Sequence, residues 1–194
     1  NAPFRWGKQV GSHLGGTRNP MVLHWPGHIT DAGGLRTPFA HVIDVAPTIL
    51  EIAGIPAPDT VDGIEQEPLH GTSFVASLTD GAAPEHRTQQ YFETIGNRAM
   101  YKDGWWLAMK TERIPWVITP EALKPYTPGV WDPDDDPVEL YYLPDDFSQA
   151  RDLVDGMAHI DDRDAEILVQ AVQVGQHLRL ARGVERRKRL VHQQ

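Results

Sequence analysis

Apolar positions along the chain change their spacing twice. Between Pro20 and Pro26 they run together as Met21-Val22-Leu23 ahead of His24-Trp25, and such a run predicts a short buried strand. Val45, Ile49 and Ile52 then recur four and three apart, which predicts a helix within 39–54 whose one apolar stripe faces the core of an α/β layer. Asp44 stands where a carboxylate caps a helix, Pro47 where a first turn tolerates proline, and Gly54 where a left-handed stop belongs. Residues 56 to 88 read as loop, with a short helix near Ser73 to Leu78. After Asp80-Gly81-Ala82-Ala83-Pro84, a linker-like run, short strand-like stretches take over: Gln90 to Ile95, Asn97 to Tyr101, Trp105 to Met109 and, later, Val138 to Leu143. Lys102-Asp103-Gly104 is a hairpin turn of the Asp-Gly kind, so these stretches predict a small antiparallel sheet of three or four strands. From Asp164 to Arg182, Leu168, Ala171, Val172 and Leu178 share a helical face that is expected to pack across that sheet. The expected organisation is α/β, with residues 1–83 in a large α/β layer and 84–194 in a small α+β subdomain.

Composition narrows the chemistry. Hydrophobic residues are 40% and charged residues 23% of 194, an ordinary globular balance with enough chain to bury a core. The net charge of −9 argues against general nucleic-acid binding, which needs a basic footprint. No apolar run is long enough for a membrane-spanning helix, and no basic-then-apolar leader is read at the start, so cytoplasm and periplasm both stay open as compartments. The absence of cysteine removes disulfides, thiol nucleophiles and cysteine-zinc sites together. The first residue is Asn1 rather than methionine, which is read as a start inside a longer protein.

Lys8, a lone lysine ahead of the Gly15-Gly16 pair and the Pro20 run, can act as a point charge for sulfate or phosphate, or be a surface lysine. His13 can be a general acid, a ligand or a turn histidine. Gly15-Gly16 lacks the third glycine and the Lys-Ser/Thr of a P-loop and reads as a tight turn. The nine histidines show no His-Glu-x-x-His and no helical four-residue pair, so this chain alone is not expected to form a metal site. Asp132, Asp134, Asp135, Asp136 and Glu139 fail the spacing of a calcium loop and read as solvated, as does the basic run at Arg186 to Arg189.

Several blocks, taken in order, point to one family. They are Asn1-Ala2-Pro3-Phe4-Arg5 with Lys8, Gly15-Gly16-Thr17-Arg18, Pro20, Trp25-Pro26 and Ile29; Val42 to Leu50 with Ala53-Gly54-Ile55; Asp62-Gly63, Leu69 and Gly71-Thr72-Ser73; and Glu139 to Leu143 with Asp145 to Ser148 and Asp152-Leu153. The chain resembles the C-terminal third of arylsulfatases, in the alkaline phosphatase superfamily. That resemblance implies sulfate monoester hydrolysis by a formylglycine hydrate, with a calcium ion polarising the sulfate and lysines and histidines neutralising charge. No cysteine and no Ser-x-Pro-x-Arg occurs here, so formylglycine and calcium are expected from an upstream part, and the chain alone is expected to be inactive. Lys8 matches the lysine that contacts the sulfate in this family, one residue further from the first glycine than in many relatives. His13 is the second claimant. The expected partner is a small sulfate ester, with self-association of the separated chain. Alternatives are a phosphoester or phosphonate hydrolase of the same superfamily and a non-catalytic binding module.

Overall fold

The computed structural model describes residues 2–112, 116–117, 119–126 and 136–154. In chain order the elements are a one-turn helix α1 (Leu14–Thr17), a 3-10 turn (Val42–Asp44) leading into helix α2 (Val45–Ala53), and a ribbon of β1 (Thr60–Val61) and β2 (Ile64–Glu65). Helix α3 (Val75–Thr79), strands β3 (Gln89–Thr94), β4 (Asn97–Lys102) and β5 (Trp105–Met109), helix α4 (Pro120–Leu123), a second 3-10 turn (Lys124–Tyr126) and strand β6 (Val138–Tyr142) follow. Residues up to Asn19 together with those from Gln89 onward make one compact unit, and Pro20–Thr88 the other. Sequence pattern places one cut near Pro84, whereas the contacts place two. The start of the chain returns to the sheet through pairs such as His13 and Glu139, 126 positions apart, and no local pattern encodes such a return.

In the first unit β3, β4, β5 and β6 form an antiparallel meander in that order. Thr94 pairs with Asn97 and Lys102 with Trp105, so both tight hairpins have two-residue loops. Asp103 and Gly104 take positive φ of 48° and 88°, the mirror-image turn whose twist matches the strands and which Asp-Gly announces. Ile95 and Gly96 do the same at 51° and 83°, although a β-branched residue is strained there. The register aligns Met100 with Leu107 and Leu107 with Leu140, so one face gathers Met100, Leu107, Met109 and Leu140, with Tyr91, Trp105 and Leu153 packed against them. Alternation sends Phe92, Trp106, Glu139 and Tyr141 to the opposite face, where the Phe92 and Trp106 rings lie 5.0 Å apart. The helix expected from Asp164 to Arg182 lies outside the described residues, as do Asp132, Asp134, Asp135 and the basic run from Arg186. Two of the acidic residues read as solvated are engaged instead. Asp136 is buried against Arg98 at 3.1 Å, and Glu139 joins the network described below.

In the second unit α2 forms as the apolar spacing requires and stops at Gly54, whose φ is 64° and whose amide, with that of Ile55, closes on the carbonyls of Glu51 and Leu50. Three expectations are corrected. The Asp44 carboxylate does not cap α2; it accepts from the amides of His41 (2.9 Å) and Thr72 (2.8 Å) and from Arg87, with His86 Nε2 at 3.3 Å. A fully buried carboxylate takes the strongest donors in reach, and here these come from the loops around the helix. The stripe on α2 is not buried among the described residues, since Ile49 is 58% exposed and Ile52 38%. Residues 20–26 form no strand and pair with no strand among the described residues, and Val22 is 93% exposed. In the last two cases apolar sequence signals a buried surface that the described residues do not supply. Phe74 and Leu78 are the only large apolar side chains buried in this unit among the described residues.

Candidate active site

Lys8 sits in a tight turn. The Val10 amide donates to the Gly7 carbonyl at 3.1 Å, which places Lys8 and Gln9 at the turn's two central positions, and Gln9 takes a φ of 73°. A positive φ at the second central residue is the type II signature, normally filled by glycine or asparagine. With glutamine there, the strain must be offset by the surroundings. Asn97 at the head of β4 donates to the Gln9 carbonyl at 3.2 Å, and Gln9 Oε1 accepts from the Trp116 amide at 2.7 Å. The ammonium of Lys8 is exposed, and among the described residues it makes no ion pair. It stands in the wall of an open cleft of about 590 Å³ lined by Ala2, Pro3, Phe4, Trp6, Gly7 and Trp116. Lys110 Nζ lies over the Trp6 ring, 4.3 Å from its centre, and steadies it from the sheet side.

His13 is placed differently. It is fully buried, Ser12 Oγ is 2.9 Å from its Nδ1, and its Nε2 is 2.6 Å from Glu139 Oε2. A carboxylate can only accept, so Nε2 carries a proton. Lys8 and His13 therefore do not share a cleft: one faces outward, the other inward onto β6.

Glu139 is the centre of the buried group. Its Oε2 also accepts from the Tyr141 hydroxyl at 2.7 Å, and its Oε1 accepts from Arg5 Nη2 at 3.3 Å. Arg5 Nη1 in turn donates to the Tyr141 hydroxyl. Burial pushes the Glu139 carboxyl up, but the hydrogen bonds from His13 and Tyr141 and the charges of His13 and Arg5 outweigh it and bring it down to about 2. Tyr141 is pushed up, first by burial and then by the adjacent Glu139 charge, so its hydroxyl stays a donor. Trp106 Nε1 donates to the Ser12 carbonyl at 2.8 Å, and the Leu14 amide donates to Gln149 Oε1 at 2.7 Å. The glycine pair has a steric reason beside these anchors. A Cβ at Gly15 would collide with the carbonyls of Arg5 and Trp6, and one at Gly16 with those of Val10 and Gly7. The turn carrying Lys8 is packed directly onto the glycine helix.

The sequence singles out Lys8 and His13 as candidates and gives no site role to Glu139, Tyr141, Trp106 and Gln149, which the structure gathers around His13 and its neighbours. The signal for two of these was present. In Glu139-Leu140-Tyr141 the strand period puts a carboxylate and a phenol on the face opposite Leu140, and a charged residue on a covered face needs a partner. Nothing local names that partner.

Among the described residues no three His, Asp or Glu side chains converge on a point that could hold a metal ion.

Comparison with known proteins places this architecture. Residues 12–159 match the family model described as N-sulphoglucosamine sulphohydrolase, C-terminal. Human arylsulfatase A is 43% identical over 67 residues, which are 34% of this chain and 13% of that protein. N-acetylgalactosamine-6-sulfatase of Sus scrofa is 39% identical over 70 residues, 35% of this chain and 13% of that protein. The crystal structure of Ps i-CgsB superposes with a TM-score of 0.54 over 80% of this chain and 29% of that one, at 20% identity, a likeness of fold. The matched stretch is thus a small share of these curated relatives' length. With well over half of its residues inside the family match, the chain belongs to the N-sulphoglucosamine sulphohydrolase C-terminal family, and so to the sulfatases.

Proposed function

We propose that this chain is the C-terminal part of a sulfatase acting on sulfate monoesters of the aryl type, and that Lys8 contacts the sulfate. The observation that carries this reading is the placement of Lys8: an exposed ammonium that makes no ion pair among the described residues, in the wall of an aromatic cleft, on a turn that Asn97 of the sheet holds through the Gln9 carbonyl. Hydrolysis breaks the bond between sulfur and the leaving oxygen, water supplying a hydroxyl to sulfur and a proton to the alcohol. Negative charge grows on the leaving oxygen as the bond breaks, and a fixed ammonium beside it stabilises that charge more than the ground state. Trp6, Phe4 and Trp116 offer aromatic surface to a flat leaving group on the same wall. In this reading the formylglycine nucleophile and the calcium ion come from an upstream part: the sequence has no cysteine and no Ser-x-Pro-x-Arg, and among the described residues no three His, Asp or Glu side chains converge. The exposed apolar residues of the second unit support membership of a larger body. A unit that buries only Phe74 and Leu78 as large apolar side chains, among the described residues, cannot offset the entropy of ordering its backbone.

The test compares 4-nitrophenyl sulfate with 4-nitrophenyl phosphate, using the intact protein that carries this chain and the 194-residue chain alone. The intact protein is expected to release nitrophenol from the sulfate, and Lys8→Ala to lower kcat/KM by about 100-fold or more, the usual loss when one charge-stabilising donor is removed. The isolated chain is expected to release none. Turnover of the phosphate alone, or an unaltered rate in Lys8→Ala, would sink the reading.

A further inference from the structure

Lys8 lies between Arg5 and His13, and both of these end on the same carboxylate. Arg5 meets Glu139 Oε1 at 3.3 Å and His13 meets Oε2 at 2.6 Å, so one side chain of β6 closes the ends of the segment that carries the Lys8 turn. We propose that Glu139 is a positioning residue for the reaction, fixing the Lys8 ammonium by holding its turn from both sides. The inference rests on the reading of Lys8 as the sulfate contact.

Three features favour this over a merely structural ion pair. The turn has little rigidity of its own, because Trp6 and Gln9 take positive φ of 62° and 73°, conformations that side-chain-bearing residues leave when released. Three of its backbone bonds run in series: Val10 to Gly7, His13 to Val10 and Gly16 to His13, each starting near where the last one ends. Glu139 is also set by its neighbours, since Tyr141 fixes Oε2 from the same face of the strand, and Leu140 between them is anchored in the apolar cluster on the other face. Displacing a catalytic group by about 1 Å is enough to cost about 100-fold in rate, so a carboxylate that never touches substrate can govern the rate through this geometry.

Two measurements decide it. In the 194-residue chain, Glu139→Gln is expected to speed amide exchange at Val10, His13 and Gly16 at least tenfold while the amides of β4 and β5 keep their protection. In the intact protein, Glu139→Gln is expected to lower kcat/KM ten- to a hundredfold. In a Lys8→Ala background the same change should lower it less than threefold, because there is no longer an ammonium to place. Arg5→Gln removes only the partly exposed end of the clamp. It should show the same pattern at smaller size, and it serves if Glu139→Gln does not fold. Unaltered exchange in the 6–16 segment would overturn the proposal, as would an undiminished effect of Glu139→Gln or Arg5→Gln without Lys8. If the intact protein cleaves no sulfate ester, the reading of function falls, while the exchange measurement still decides whether Glu139 holds the turn.

Discussion

Glu139 and Asp44 show how a carboxylate reads at the level of one residue. Both are buried or half-buried, both are surrounded by donors, and both are held below the ordinary carboxylate range although burial alone would raise them. A carboxyl whose folded pKa is depressed contributes stability that is complete above its unfolded pKa and is lost as pH falls through the folded one. For Glu139 the window runs from its usual 4.5 down to about 2. The shift corresponds to about 3 kcal/mol. The unfolding free energy of the wild type should therefore exceed that of Glu139→Gln by an amount that is constant above pH 4.5 and shrinks toward pH 2, as followed by urea melts across that range. A gap that does not change with pH would mean that the stabilisation comes from shape rather than charge. Lys8 contrasts with both, since an exposed lysine in a turn adds little to folding and its removal should be felt in turnover rather than in melting.

Among the elements, the tight hairpins were legible to different degrees. Asp103-Gly104 announces its turn, because both residues accept positive φ. Ile95-Gly96 does not, since nothing in an isoleucine predicts a φ of 51°; register imposes it once β3 and β4 pair from Gln89↔Lys102 to Thr94↔Asn97. Ile95 is 47% exposed, so its side chain gives little packing in return. Ile95→Asn should stabilise the sheet unit by about 1 kcal/mol, read as a rise in the urea midpoint without a change in slope. Helix α2 gives the converse case. Its spacing, proline and terminal glycine fixed its existence and its end, but not which surface it meets. Its apolar stripe is exposed among the described residues, and the carboxylate expected to cap it is drawn instead to Arg87, His41 and Thr72.

For the molecule as a whole, the imbalance between the two units carries the consequence. The sheet unit buries Trp106, Tyr141 and Leu140 completely, whereas the Pro20–Thr88 unit exposes Val22, Leu35, Ile49 and Ile64 by more than half. Exposed apolar area of this kind favours association. The 194-residue chain should show an apparent mass that rises with concentration in analytical ultracentrifugation, and Val22→Asp with Ile49→Asp should reduce it. A constant monomer mass would count against the larger-body reading and for a stand-alone module.

By itself the sequence determined the local elements: an antiparallel sheet of three or four strands, the Asp-Gly hairpin, α2 with its glycine stop, and the family, through blocks whose order is preserved along the chain. It also singled out Lys8, because a lone lysine ahead of a glycine pair is a local feature. Tertiary structure decided what those features touch. That His13 turns inward, that Arg5 and His13 share Glu139, and that Trp106 reaches Ser12 depend on pairs 94 to 134 residues apart. Such contacts arise from strand register and from the packing of one face of the sheet, and neither periodicity nor composition carries information about a partner so distant.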